Sequence, residues 1–344
     1  MIWDQLQLNP TITAALQRAQ LKSFREVLCV SGLDLQRLTG LSQSEVQQVL
    51  VATAAACRRH RPITALQLQQ AEGHHGFQSG LRLGLGCPVL DQLLKGGLPV
   101  GTITELSGES GAGKTQLGLQ LSLSVQYPRE HGGLSSGALY ICTEDPFPIR
   151  RLQQLISEQS VLRSHVPPSL ICGIRFSDQV YIEHTADLES LQACLTCRAP
   201  ILLARGLVRL VVIDSVAALF RCEFQADEWR ERNKQLLTFS SSLHHLSHQF
   251  NVAVLCINQV TDVFNQSAHG LGPLSSSVCP ALGLAWANQV TVRLMMRRLQ
   301  GTVSRSNQSS ALRRLEVAFA PHLPNDGRGF AVWREGIRGV LDPE

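Results

Sequence analysis

Hydrophobic and polar residues along this chain fall into successive regimes, and each regime predicts a different kind of structure. Up to residue 57 the pattern is helical. Ser23 with Glu26, and Ser42 with Glu45, have the spacing of capping boxes, in which side chains satisfy the first free N–H groups of a helix. Leu41 and Val46 flank the second box as a hydrophobic staple, so residues 38–42 predict a tight helix–hairpin–helix turn. Arg58, Arg59, His60, Arg61 and Pro62 then break the pattern, and Glu72-Gly73-His74-His75-Gly76 is loop-like. From residue 81 onward, short apolar runs alternate with longer helical stretches, as in an α/β sheet.

That last regime resolves into elements. Residues 87–99 form a short amphipathic helix ending in Gly96-Gly97. A β-branched strand at 102–106 runs into a glycine-rich loop, and a helix over 116–127 follows, with Leu117, Leu121 and Val125 on one face. A strand at 138–142 ends at Thr143-Glu144-Asp145, then come a helix at 150–158 and a strand at 180–183. Further helix is expected across 187–205, interrupted at Pro200. An apolar strand from 210 ends at Asp214-Ser215, and a helix over 228–250 leads to a buried strand at 252–257 ending at Asn258-Gln259. Residues 261–280, rich in Gly, Ser and Pro, form a loop of a length that is usually functional. Strands at 288–296 and 312–319 follow, with Arg297, Arg298, Arg313 and Arg314 at strand ends.

The chemistry concentrates in Gly108-Glu109-Ser110-Gly111-Ala112-Gly113-Lys114-Thr115, a complete phosphate-binding loop set between a strand and a helix. Glycines let the backbone turn tightly and approach an anion, and the free N–H groups of the next helix point at phosphates. Lys114 suits the β- and γ-phosphates, and the Thr115 hydroxyl is a hard oxygen ligand for Mg²⁺. Asp214, ending an apolar strand, is the expected second holder of Mg²⁺ or its water shell. Glu144, at the carboxyl end of a strand, is the candidate to orient or deprotonate an attacking water, with Asp145 as its rival.

Composition narrows the class without adding a site. The 344 residues are 44% hydrophobic and 17% charged, enough for a large α/β domain plus a small module. A net charge of +4 is mild, so nucleic-acid contact would rest on local patches such as Arg58-Arg59-Arg61 or Arg18, Lys22, Arg25 and Arg37. The helical module suits either DNA phosphate contact or protein interaction. No secretion signal and no run of 18 apolar residues is expected to direct the chain to a membrane. The ten cysteines read as core hydrophobes in a reducing compartment, Cys194 and Cys197 as two residues of one helix, and His244, His245 and His248 as a solvated helix face.

Taken together, residues 101–115, 139–148, 210–224, Ile257-Asn258-Gln259 and 320–324 resemble the RecA-type core of eukaryotic strand-exchange recombinases, and in particular a paralogue of them. The resemblance implies an α/β fold, a RecA-type P-loop ATPase core over 81–344, joined by a linker at 58–80 to an all-helical domain at 1–57. It implies ATP and Mg²⁺ as ligands, with Glu144 as catalytic glutamate, Arg151 lying against adenine and Gln259 sensing the γ-phosphate. Residues 220–232 and 261–280 take the places of two DNA-binding loops. It further implies a nuclear protein, with a cytoplasmic pool, acting in homologous-recombination repair of breaks and crosslinks. Its partners would be another recombinase paralogue (the C paralogue), the main strand-exchange recombinase, and single-stranded or branched DNA.

Several positions depart from the family pattern. Pro62 stands where an aromatic linker anchor is expected, three residues before Ala65. Asp227 and Glu228 replace a basic contact in the first loop, Trp286 replaces a histidine beside the second, and Phe319 replaces a carboxylate near the last Pro-rich turn. Each change points away from an efficient filament former and toward a weak DNA-dependent ATPase working in a complex. An autonomous DNA-stimulated strand exchanger, and an adaptor using ATP only structurally, are the alternatives.

Overall fold

The computed structural model describes residues 3, 6, 8–21, 23–57, 64, 66, 80–225, 227–263 and 277–340. The chain divides into two compact units, Met1–Ser79 and Gly80–Glu344.

The first unit contains helices α1 (Pro10–Arg18), α2 (Phe24–Cys29), α3 (Gly32–Thr39) and α4 (Gln43–Cys57). Both expected caps form: Ser23 Oγ accepts from Glu26 N–H at 3.2 Å, and Ser42 and Glu45 bond reciprocally at 2.8 and 3.4 Å. Ser31 caps α3 in the same way, through Asp34 N–H at 3.2 Å. Gly40 turns the hairpin in the left-handed region, φ +71°, where a side chain would be strained. Ile12, Leu16, Val27, Leu35, Val46 and Val49 are buried together beneath it.

In the second unit a nine-stranded sheet carries the site. In chain order its strands are β1 (Ile103–Gly108), β2 (Gly137–Cys142), β3 (Val180–His184), β4 (Val208–Asp214), β5 (Ala253–Asn258), β6 (Val292–Arg305), β7 (Gln308–Phe319), β8 (Gly327–Val332) and β9 (Ile337–Gly339). Across the sheet they run β9-β8-β7-β6-β1-β5-β4-β2-β3. The pairs from β6 to β3 are parallel, and those from β6 to β9 are antiparallel. Because side chains alternate across a pleat, Leu210 and Val212 enter one buried cluster while Val211 and Ile213 enter the other. That is why these strands read as unbroken apolar runs.

Helix α5 (Lys114–Ser124) is buried from Leu117 to Ser124, pressed between the sheet and other helices. Helices α6 (Ile149–Ser157), α7 (Val216–Cys222) and α8 (Trp229–Phe250) follow, with short helices between. The expected break at Pro200 takes a different form. The helical path continues through a π-type turn at Cys194–Arg198 and restarts at Ala199–Ala204 with Pro200 in the first turn, where no N–H donor is required. The strand expected at 288–296 begins later, at Val292, because Gly283–Ala287 is helical, and it extends to Arg305 as an exposed hairpin with β7.

Candidate functional site

Four strands deliver their carboxyl ends to one edge, and the expected residues arrive with them. The phosphate loop leaves β1, Glu144 lies just past β2, Asp214 ends β4, and Gln259 follows β5. In an open α/β sheet this edge is where ligands bind. A cleft of about 1200 Å³ opens there, lined among others by Gly108, Lys114, Thr115, Glu144, Asp214 and Gln259. Ser110, Gly111, Gly113 and Arg151 also line it.

Not every loop residue faces the cleft. Ala112 is fully buried in the core, and its N–H bonds the Glu109 carbonyl at 3.2 Å. Neither Ala112 nor Glu109 is among the lining residues. The glycines also divide their work. Gly111 and Gly113 have φ of +72° and +105°, the backbone freedom the motif was expected to use. Gly108 is a glycine for another reason: a Cβ there would stand 2.4 Å from the Met296 carbonyl on β6, so strand packing excludes it.

Lys114 Nζ donates to the carbonyls of Gly108 and Glu109, at 2.6 and 2.8 Å. Burial pulls this ammonium below its ordinary value, while Asp214, Glu144 and Glu109 pull it back. Thr115 Oγ1 donates to Asp214 Oδ2 at 2.8 Å, and the Tyr140 hydroxyl donates to the same oxygen at 2.7 Å. Burial pushes the Tyr140 phenol well above its ordinary range, the neighbouring Asp214 carboxylate adding to the rise, so it remains a donor. Thr115 and Asp214 thus form an all-oxygen donor set beside the loop, chemistry that fits Mg²⁺.

Glu144 is exposed and oriented on both oxygens. Oε2 accepts from Ser215 Oγ at 3.2 Å and Oε1 from Gln259 Nε2 at 2.8 Å. Gln259 Oε1 in turn accepts from Arg221 Nη1 at 2.7 Å, near the end of α7. One side-chain path therefore runs from the candidate base to the foot of the first loop. Of that loop's described residues, 223–225, 227 and 228 lie outside a helix, because Phe220 is buried against Phe239 and α8 starts at Trp229. The second loop is described only at its ends, where Val260–Val263 pairs antiparallel with Ser277–Pro280. Pro62 and Ala65, and the basic run at 58–61, lie outside the described residues.

Arg151 lines the cleft wall but is tied on every side. Nε donates to Gln116 Oε1 at 2.7 Å, Nη2 to the Trp333 carbonyl at 2.7 Å, and Nη1 to Gln154 and the Arg334 carbonyl. Burial lowers its pKa against the attraction of Glu335.

Sequence reasoning missed a second layer. Glu105, on β1 and fully buried, accepts from Asn258 Nδ2 at 2.6 Å, Trp286 Nε1 at 3.0 Å and Arg293 Nε. Asn258 also bonds the Ala281 carbonyl and Gln259 N–H, at 2.9 and 2.8 Å. Trp286, expected beside the second loop, is thus a core residue anchoring the return from it. Tyr140 had a readable signal, since it lies two positions before Cys142 and shares its face of β2. Cys142 itself is pushed up to about 12 by burial and by Asp214 and Asp145, which keeps it a thiol.

With this edge described, comparison with known proteins decides the family. A model of the Rad51 family matches residues 78–340. The chain belongs to the Rad51 family. A second model, the XRCC3/RpoA-like helix-hairpin-helix domain, matches residues 3–57. Among Rad51-family relatives, the DNA repair protein XRCC3 of Mus musculus is 51% identical, covering 98% of this chain and 97% of its own. The DNA repair protein XRCC3 homolog of Arabidopsis thaliana is 36% identical over 75% of this chain and 93% of its own. DNA repair protein RAD51 homolog 2 of Homo sapiens is 30% identical over 96% and 86%.

Proposed function

We propose that this chain is an ATP-binding recombinase paralogue that acts in homologous-recombination repair of DNA in the nucleus. The observation that carries the reading is the convergence of Lys114, Thr115, Asp214, Glu144 and Gln259 on one sheet edge. Relatives named as DNA repair proteins support the repair context. In this reading the loop N–H groups and Lys114 hold the phosphates. Thr115 and Asp214 hold Mg²⁺, which when bound neutralises phosphate charge. Glu144 takes a proton from the attacking water, and Gln259 holds Glu144 in place while reporting to the loops through Arg221. Residues 81–344 form the ATPase core, 58–80 the linker and 1–57 the helical module.

The chain works in this reading with another paralogue, the C paralogue, on single-stranded or branched DNA, and supports the main recombinase filament. Proline at 62 offers less apolar area than the aromatic anchor it replaces, and losing such an anchor costs an interface roughly 2–4 kcal/mol. A homofilament repeats that loss at every joint. Mass photometry of the purified chain with ATP and DNA should give no long polymers, and co-expression with a paralogue should give a discrete small complex. Long homopolymers refute the assembly part and favour the autonomous strand exchanger.

A further inference from the structure

Among the described residues, two arginines beside the phosphate loop have no acid to neutralise them. Arg298 on β6 and Arg313 on β7 are directly opposite one another across the antiparallel pair, a placement in which like charges repel. The adjacent pair resolves the same conflict with a carboxylate: Arg297 and Arg314 both reach Glu316, at 3.0 and 3.6 Å. Among the described residues, neither Arg298 nor Arg313 has an ion pair. Arg298 also donates no hydrogen bond among them. Arg313 donates Nε to the Gly111 carbonyl at 3.3 Å, and Nη1 to the Ala311 carbonyl at 2.7 Å and Ser310 Oγ at 3.3 Å. Its Nη2 makes no hydrogen bond among the described residues.

Both side chains reach the loop beside glycines whose positive φ disfavours a side chain, and of the two Arg313 lines the cleft. Arg298 Nη1 lies 3.8 Å from the point a Cβ on Gly111 would occupy, and Arg313 Cδ lies 3.7 Å from the same point on Gly113. Burial lowers the Arg313 pKa, and the Arg298 charge lowers it further. Planar guanidinium groups with free N–H donors match phosphate oxygens well.

We propose that Arg298 and Arg313 form a cationic clamp, on the same chain as the phosphate loop, for the terminal phosphates of a bound nucleoside triphosphate. This rests on the reading of residues 108–115 as a nucleotide site. It gives the terminal phosphates cations that need no neighbouring core, in a chain whose linker lacks the aromatic anchor for self-assembly.

The test is competition of a fluorescent ATP analogue by ATP, ADP and AMP on the full chain, unmutated and as Arg298→Ala, Arg313→Ala, Arg313→Lys and Lys114→Ala. Each arginine-to-alanine variant should lose roughly tenfold in ATP affinity, less for ADP and nothing for AMP. Arg313→Lys should recover part of the loss, since it restores charge without the fork. The melting temperature of Arg298→Ala should stay level or rise, because a repulsion is removed, whereas Arg313→Ala also loses the hydrogen bonds to Gly111, Ala311 and Ser310. Unchanged ATP affinity, or equal losses for all three nucleotides with a lowered melting temperature, overturns the clamp. If the unmutated chain binds no nucleotide, or Lys114→Ala binds as tightly as the unmutated chain, the nucleotide reading itself fails. The two failures are therefore distinguishable.

Discussion

Glu144→Gln is expected to bind ATP nearly as well as the unmutated chain and to hydrolyse it about 10²–10⁴-fold more slowly, the usual range for losing a general base. Glutamine matches glutamate in size and keeps one oxygen to accept from Gln259 Nε2 or Ser215 Oγ, which hold the present carboxylate at 2.8 and 3.2 Å. It cannot take a proton from water. Single-turnover hydrolysis, with and without DNA, separates this step from binding and product release. A rate equal to that of the unmutated chain removes Glu144 from the mechanism and makes Asp145, exposed just before Pro146, the next residue to test.

The second large effect is on stability. Glu105→Ala removes a fully buried carboxylate and leaves the Arg293 guanidinium, only 20% exposed, without its partner. It also strips the acceptor from Trp286 Nε1 and Asn258 Nδ2. Breaking one side of a buried ion pair costs roughly 3–5 kcal/mol, because the remaining charge stays desolvated. For a domain of this size that corresponds to a fall in melting temperature on the order of 10 °C. Glu105→Gln, which keeps a neutral acceptor, should lose less. A melting temperature for Glu105→Ala within about 2 °C of the unmutated chain would show that the network contributes little.

Glu105 also illustrates which features the sequence could reveal. The strand–loop–helix form of residues 103–124 was legible because its pattern is local: eight consecutive residues, 108–115, carry the glycines, the lysine and the hydroxyl. Asp214 and Glu144 were legible because a polar residue ending an apolar strand marks the ligand-binding edge. Glu105 sits inside an ordinary strand pattern, and its partners are 153, 181 and 188 residues away, so only the sheet order brings them together. The same limit explains the arginine pair. Arg298 and Arg313 read as strand-end charges until the β6–β7 register sets them opposite each other next to Gly111. The family pattern places Phe220 in a loop, whereas packing against Phe239 and Phe224 draws it into the core. The outer half of the β6–β7 hairpin escaped notice because residues 298–302 are exposed on both faces and carry no apolar alternation.

In the proposed function, the cleft at the end of β1 holds ATP through the phosphate loop. Titration of a fluorescent ATP analogue into the full chain and into Lys114→Ala tests it most directly. Among the described residues Lys114 is the only lysine lining this cleft, and charge-assisted hydrogen bonds to phosphate contribute roughly 1.5–3 kcal/mol, or about ten- to a hundredfold in affinity. Saturable binding by the unmutated chain, weakened by that factor in Lys114→Ala while both melt at the same temperature without nucleotide, is the predicted result. Equal affinity in the two proteins would contradict it.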